Sequence, residues 1–598
     1  MVTRAETFYR SKVKSYSLLV KKSIWLSQTI SRIRLLTFIF TAALLIWFAQ
    51  TGNYSGICIS LLTGIIVFLI LIRYHSKVLN EKKYREAVLR INSDELKVLD
   101  GNFSSFDGGN EFIDPDHPFS YDLDVFGDGS LFQYLNRTVT NHGREALADK
   151  LLNPLLQTDK IIGYQQAIAE LSDKTEWRQD FQATGMIYND NKYDKDRIIE
   201  WLNLPPLFCN SLYGAILILV PTLTAVMILL SAMCYISGLF FMLYMMLPIG
   251  IVGIYSGRIN RRHQHVSKTS QMLLKYSLLI RKAESLEVSS SSLIALKKKL
   301  LHQHDSASQQ LRLLSKILAA IDTRLNPLAG ILLNVLMLWD IFQMRRLEKW
   351  QQVNKLSLPG WFDAFAEFDW LISFAGYYYN NPDFCFPDIN DKANRIEAEQ
   401  MGHPLIHSSI RVTNPVLIRK GQFIILTGAN MAGKSTYLRT IGANMILAMC
   451  GAPVCAKSFR FQPVNVFTSI HTSDSLAKNE SYFYSELKRL KRIIDELQKG
   501  SELFIFLDEI LKGTNSRDKH AGSEALLKQM IGLKASGIIA THDVSLASLQ
   551  NAFPDHIITR CFEGGIDGDQ LRFSYKLGDG ISKNMNATLL MREMGITV

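Results

Sequence analysis

The chain has 598 residues, more than one hydrophobic core normally organises, so several domains are expected. Its formal net charge of +11 suggests a nucleic-acid binder until the charge is located: Arg4, Arg10, Lys12, Lys14, Lys21, Lys22, Arg32 and Arg34 face only Glu6 in residues 1–34, a local net of +7, which leaves the remainder near balance at +4. Seven scattered cysteines with no Cys-x-x-Cys pair, and no clustered histidines, exclude a disulfide framework or a zinc site as the organising chemistry.

Beyond the basic segment, Leu35 to Ile72 holds no charge across 38 positions. Two apolar blocks, Leu35–Ala49 and Tyr54–Ile72, flank the polar turn Gln50-Thr51-Gly52-Asn53. A second uncharged stretch runs 57 residues from Trp201 to Gly257, with blocks at Leu212–Leu230 and Cys234–Ile254. A bilayer span needs roughly 20 mainly apolar residues, so each stretch predicts a two-helix transmembrane hairpin. For the short first block a core helix is the alternative. Arg32, Arg34, Arg73, Lys77, Arg258, Arg261 and Arg262 lie outside the hairpins, and the turns within them carry no Lys or Arg. By the positive-inside rule both termini, and everything between the hairpins, are expected on the cytoplasmic side. The basic segment then reads as a juxtamembrane tail near anionic lipid. An apolar run that starts at residue 35 and continues into a hairpin is not shaped like a signal peptide.

Further along, Leu311, Leu314, Leu318 and Ile321 repeat at helical spacing, a stripe expected to pack in a core. Leu328 to Phe342 is apolar but only about 22 Å long as a helix, short of a roughly 30 Å hydrocarbon core, so a buried or interfacial helix is predicted.

The chemistry lies in the last 200 or so residues. Gly428-Ala-Asn430-Met-Ala-Gly433-Lys434-Ser435-Thr436 is a complete G-x-x-x-x-G-K-S/T loop, preceded by a strand-like run, Gln422–Thr427, and followed by a helix-like one, Tyr437–Met449. Backbone N–H groups of such a loop cradle phosphates; Lys434 would reach the β- and γ-phosphates, and the Ser435 hydroxyl would ligate Mg²⁺. Leu503 to Leu507 reads as a strand delivering Asp508, a second Mg²⁺ ligand, and Glu509, which would orient or deprotonate the attacking water. A further strand, Gly537–Ala540, delivers His542, placed to read the γ-phosphate or the water.

These residues carry a resemblance. The C-terminal half resembles the ATPase domain of the MutS mismatch-repair family, within the ABC-type ATPases, in Thr427–Arg439, Gly451–Ala456, Phe467–Ile470, Asp474–Glu486, Asp508–Thr514, Ala540–Asp543 and Tyr575–Gly580. Upstream, Gly129–Thr140, Leu152-Asn-Pro154, Phe365–Ala375 and Gly402-His-Pro404 are similar to the family's core and to the entry of its ATPase. The resemblance implies an α/β ABC-type P-loop ATPase domain at the C-terminus and an all-α core and lever domain, preceded and interrupted by the hairpins. The implied order is a basic cytoplasmic tail (1–34), hairpin 1 (35–73), a linker (74–118), core helices (119–210), hairpin 2 (211–257), lever and core helices (258–390) and the ATPase (391–598).

It also implies Mg²⁺-dependent ATP hydrolysis in a homodimer joined through the ATPase domains. Ser481 would complete the partner's site, with Asp518 at the interface, His542 as the switch histidine and His403 near the adenine. DNA is the partner the resemblance implies, alongside the lipid bilayer. Mismatch readers of this family carry a Phe-x-Glu wedge in an N-terminal domain; the first such triplet here, Phe365-Ala-Glu367, falls in a lever-return helix and is expected on its surface. With no nuclease domain expected after the ATPase either, a switch without a mismatch reader is predicted. The alternative is a mechanochemical membrane protein whose levers move the hairpins without DNA.

Overall fold

The computed structural model describes residues 3–188, 190–191, 194–267, 269–302, 305–390, 395–470, 482–511, 515–567 and 570–582. The chain opens with α1 (Arg4–Gln50), started by the Thr3 hydroxyl accepting from the Glu6 N–H, and α2 (Tyr54–Leu99), started by Asn53. Gly52, at φ +68°, turns between them. The stretch expected as a basic tail, and most of that expected as a linker, are therefore helix: the two apolar blocks are only the central parts of helices 47 and 46 residues long. The helices pack along each other, and at Gly56 a Cβ would lie 2.4 Å from the Phe48 ring. Their apolar halves are almost bare, whereas their charged halves dock on the protein. There the Tyr9 hydroxyl donates to Asn380 (2.8 Å), Asn380 donates to Glu95 (2.7 Å), and Arg137 Nε donates to Glu95 (2.6 Å).

The helical core follows as α3 (Leu131–Leu135), α4 (Asn141–Leu152), α5 (Thr158–Asp173), α6 (Thr175–Ile187) and α7 (Asp194–Leu202). The second apolar pair is α8 (Ser211–Ala232) and α9 (Gly238–Val266). With α1 and α2 these make four helices long and apolar enough to cross a membrane among the described residues. Next come α10 (Ser270–Ser285), α11 (Ser291–Leu300), a small pairing of β1 (Leu301–His302) with β2 (Asp305–Ser306), and α12 (Ala307–Asp322). The α12 stripe of Leu311, Leu314, Leu318 and Ile321 is buried as expected.

Two expectations fail in the next stretch. The single helix foreseen over Leu328–Phe342 is two, α13 (Pro327–Met337) and α14 (Trp339–Asn354), bent by 80° at Leu338, which takes the left-handed conformation. Leu328, Ile331 and Leu332 of α13 face outward, so it is not a core helix. In α15 (Leu358–Asn380), Phe365 is fully buried against Phe181 and Tyr276, and Glu367 accepts a hydrogen bond from Tyr164; neither belongs to a free helix surface. The aromatic run of α15 makes it a central core helix, and its Asp369 caps the start of α4 by accepting from the Val139 and Thr140 N–H groups and the Thr140 hydroxyl.

The C-terminal unit is mixed α/β, as expected. Its elements are β3 (Asp388–Ile389), β4 (Ile396–Met401), β5 (Asn414–Ile418), β6 (Phe423–Gly428), α16 (Lys434–Met449), β7 (Ser458–Phe461), β8 (Asn465–Ser469), α17 (Tyr482–Gln498), β9 (Leu503–Asp508), α18 (Ser516–Gly532), β10 (Ser536–Ala540), α19 (Leu549–Ala552), β11 (Ile557–Asp567) and β12 (Gln570–Asp579). One sheet runs β12-β11-β6-β10-β9-β8, parallel except for β12; a second runs β3-β7-β4-β5.

Strand alternation divides β6. Ile424 and Leu426 join the apolar core shared with the helical domain, while Phe423 and Ile425 join a second core under α17 and α18. α16 therefore lies between the sheet and the helical domain. Its Gly442 approaches Leu123 so closely that a Cβ would sit 2.6 Å from it, and its Arg439 pairs with Asp124 at 2.9 Å.

Candidate nucleotide site

Parallel pairing in register brings three strand ends to one edge: Leu426 of β6 lies opposite Ala540 of β10, and Ala540 lies opposite Asp508 of β9. The loop, the two carboxylates and the histidine, spread over more than a hundred residues of sequence, converge there for that reason alone. In an open parallel sheet this carboxyl edge is where ligands bind.

Gly428 leaves β6 with φ +152°, and a Cβ on it would meet the Phe562 carbonyl oxygen at 2.7 Å. Gly433, at φ +104°, ends the loop beneath Tyr575 and opens α16. The N–H groups at the start of α16 point into the same space, an anion site by geometry. Lys434 is buried, and its Nζ donates to the carbonyls of Gly428 (2.8 Å) and Ala429 (3.0 Å), close under the loop where phosphate oxygens would be met.

The Ser435 hydroxyl donates to Asp508 Oδ2 at 2.5 Å. A hydroxyl and a carboxylate converging on one point are hard oxygen donors suited to Mg²⁺, which keeps several waters and phosphate oxygens and so needs few protein ligands. Among the described residues no group of three or more His, Cys, Asp or Glu side chains could hold a metal.

Glu509 sits just past β9 in the left-handed conformation (φ +51°), pinned by its N–H to the Ala540 carbonyl at 2.9 Å. That twist turns its carboxylate toward His542, whose Nε2 lies 2.5 Å from Glu509 Oε1 and 3.3 Å from Lys434 Nζ. With its proton on Nε2, His542 donates to Glu509. Acid, histidine and loop lysine thus form one contiguous group.

The predicted nucleotide, metal and catalytic residues that are described lie together at this edge: Gly428, Asn430, Gly433, Lys434, Ser435, Thr436, Asp508, Glu509 and His542. A cavity of about 570 Å³ is lined by Asn430, Gly433, Lys434, Ser435, Thr436 and Glu509, and extends to His403. Burial, with Arg439 and Arg411 adding repulsion, pushes the His403 pKa down to about 4, so its ring is neutral at neutral pH. Ser481 lies outside the described residues. Asp518 is exposed in the first turn of α18 and bonded to Asn515 (2.7 Å).

Several site residues carried no chemical signal in the sequence. Met401, Ile406, Ile410 and Val412 form the apolar side of the cavity, and Phe562 and Tyr575 close it. Of these only Tyr575 falls in a block that carries the family resemblance; tertiary proximity alone marks the others. His520, paired with Asp543 at 2.7 Å, was also unforeseen; burial alone would raise the Asp543 pKa, but hydrogen bonds from Ser545 and His520 hold it below the usual range.

Behind the site the coupling to the helical domain is direct. Asp122 Oδ2 accepts from the Thr468 hydroxyl (2.6 Å), the Ile470 N–H (3.1 Å) and Arg489 (3.2 Å), joining β8 and α17 to the core.

Comparison with known proteins agrees with this arrangement. Residues 120–375 match MutS domain III and residues 424–592 match MutS domain V, the family's ATPase domain. The chain belongs to the MutS family. It is 29% identical to human MutS protein homolog 4 over 39% of this chain and 25% of that protein. To the DNA mismatch repair protein msh3 of Aspergillus fumigatus it is 29% identical over 37% of this chain and 20% of that one. The DNA mismatch repair protein MutS of Aquifex pyrophilus is 26% identical over a longer stretch, 76% of this chain and 56% of that protein. The chain thus matches a quarter or less of the first two relatives' length.

Proposed function

We propose that this MutS-family chain is a Mg²⁺-dependent ATPase switch, anchored in a membrane, that dimerises through its ATPase domains and acts on DNA. The observation that carries the ATPase reading is the convergence of Lys434, the Ser435–Asp508 pair and the Glu509–His542 pair at three aligned strand ends. Lys434 and the loop N–H groups would hold the phosphates, and Ser435 and Asp508 would hold Mg²⁺, which supplies charge neutralisation on the phosphate oxygens. Glu509, oriented by His542, would take the proton of the attacking water. The apolar cavity wall beside neutral His403 suits a purine. Ser481 from a second copy would complete each site, as the family resemblance implies.

The membrane part of the reading is supported by the four bare apolar helices and by basic residues outside both hairpins. It places both termini and the ATPase on the cytoplasmic side. DNA is proposed from the family and from the printed function of its mismatch-repair relatives. A second reading, in which the levers move the hairpins without DNA, is favoured by one feature: Arg262, at the base of α9, pairs with fully buried Glu348 of α14 at 2.6 Å, tying a hairpin to the lever.

The test is made on detergent-solubilised full-length protein. Lys434→Ala is expected to lose ATP turnover, and normal turnover in that variant overturns the site. DNA affinity should fall steeply with salt, because phosphate contacts release counterions; no measurable binding below about 100 mM salt removes DNA and leaves the second reading.

A further inference from the structure

Resting on the reading that α8 and α9 span a bilayer, we infer that α13 is a further lipid contact, immersed in one leaflet beside hairpin 2, which seats the lever region on the membrane surface. Leu328 to Trp339 carries no charge, yet α13 is 11 residues long, about 16 Å, half the thickness of the hydrocarbon core. It cannot cross. Nor is it a core helix: Leu328 is 83% exposed, Ile331 62% and Leu332 60%, and Gly330 is its one buried residue. Positions 328, 331 and 332 recur at three- and four-residue spacing and so form one continuous outward face. Leu325, two residues before the helix, is exposed as well. On a water-exposed surface a contiguous apolar face of this kind marks a binding site.

Its surroundings identify the occupant as lipid. α13 packs against both α8 and α9, so its bare face continues the bare faces of the hairpin. Leu338, fully buried and left-handed, breaks the helix, and α14 turns away by 80° to bury Asp340 and Ile341 in the protein. The chain thus leaves the apolar layer at once. The charges stand at the base of the unit: Arg324 pairs with Asp340 at 3.2 Å, and Arg345 donates to the carbonyl of Asn210, the cap of α8, at 2.7 Å. An apolar face with cations gathered at its border is the pattern of an interfacial helix.

The test uses full-length protein in proteoliposomes with Cys58, Cys209, Cys234 and Cys385 each replaced by Ser, and a single fluorophore on Ile331→Cys or, as control, on Leu219→Cys in α8. Lipids carrying a nitroxide near the headgroup should quench the label at 331 at least about twofold more than lipids carrying it near the chain end, as expected for a helix at the acyl boundary. The label at 219 should be quenched by the deep probe. Quenching at 219 but not at 331 overturns the α13 contact and leaves the hairpins standing. Deeper quenching at 331 than at the surface overturns the one-leaflet placement. Quenching at neither position removes the membrane reading and this inference with it. Bismaleimide crosslinking of Ile331→Cys into dimers without lipid quenching assigns the face to a second copy instead.

Discussion

Replacing Asp122 by Ala should loosen the joint between the ATPase and the helical core while leaving the nucleotide cavity intact. Asp122 is 1% exposed and accepts from Thr468, the Ile470 N–H and Arg489. Removing one partner of a buried ion pair costs about 3–5 kcal/mol, and each stranded neutral donor costs about 1–3 kcal/mol. Arg489 retains the carbonyls of Pro115, His117, Pro118 and Thr468, which argues for the low end, about 3 kcal/mol. In a unit of this size that is a fall of about 6–12 °C in the ATPase transition. Calorimetry in detergent reads it, and nucleotide affinity measured alongside should stay within about threefold, since no cavity residue changes. Thr468→Val removes the other end of the shortest bond, so the double variant should be less destabilised than the sum of the two by about 1–2 kcal/mol. A fall below about 2 °C, or strict additivity, would show that the contact does not hold the joint.

Glu509→Gln keeps the shape of the side chain and the backbone bond to Ala540; it should lower kcat by about 10²- to 10⁴-fold with ATP affinity retained, and an unchanged steady-state rate would remove Glu509 as the base. His403 should make stability depend on pH. Its folded pKa is depressed to about 4, so its contribution is complete above the unfolded value of 6.5 and is lost as pH falls toward 4. His403→Gln should therefore flatten the loss of Tm between those limits, and an identical pH profile would contradict its burial as a neutral ring. Phe365→Ala, at the centre of the helical core, should cost about 3–5 kcal/mol, seen as a lowered denaturation midpoint, whereas a change within about 0.5 kcal/mol is what a surface position would give.

The nucleotide chemistry was legible in the chain because it depends on local patterns. A glycine loop between strand and helix, and carboxylates or a histidine at strand ends, declare themselves within a dozen residues, and each of the described ones reaches the site. The apolar helices were legible for the same reason, since length and hydropathy are properties of a segment. The extent of α1 and α2 was not, because charged turns read as tail and linker until Tyr9, Glu95 and Arg137 find partners far along the chain. Phe365 was misplaced on a surface because a triplet carries no record of what packs on it. The break at Leu338 was missed as well: continuous apolar composition favours one helix, and only the core that claims Asp340 and Ile341 on one side of it turns the chain.

The sequence by itself therefore determined which groups are candidates to meet phosphate and metal, and which segments are long and apolar. The tertiary structure alone decided that these groups share one edge, that α16 leans on Leu123 and Asp124, and that Asp122 locks the ATPase to the helices. Strand register and long-range burial set those relations, and both come from contacts between residues that sequence spacing does not connect.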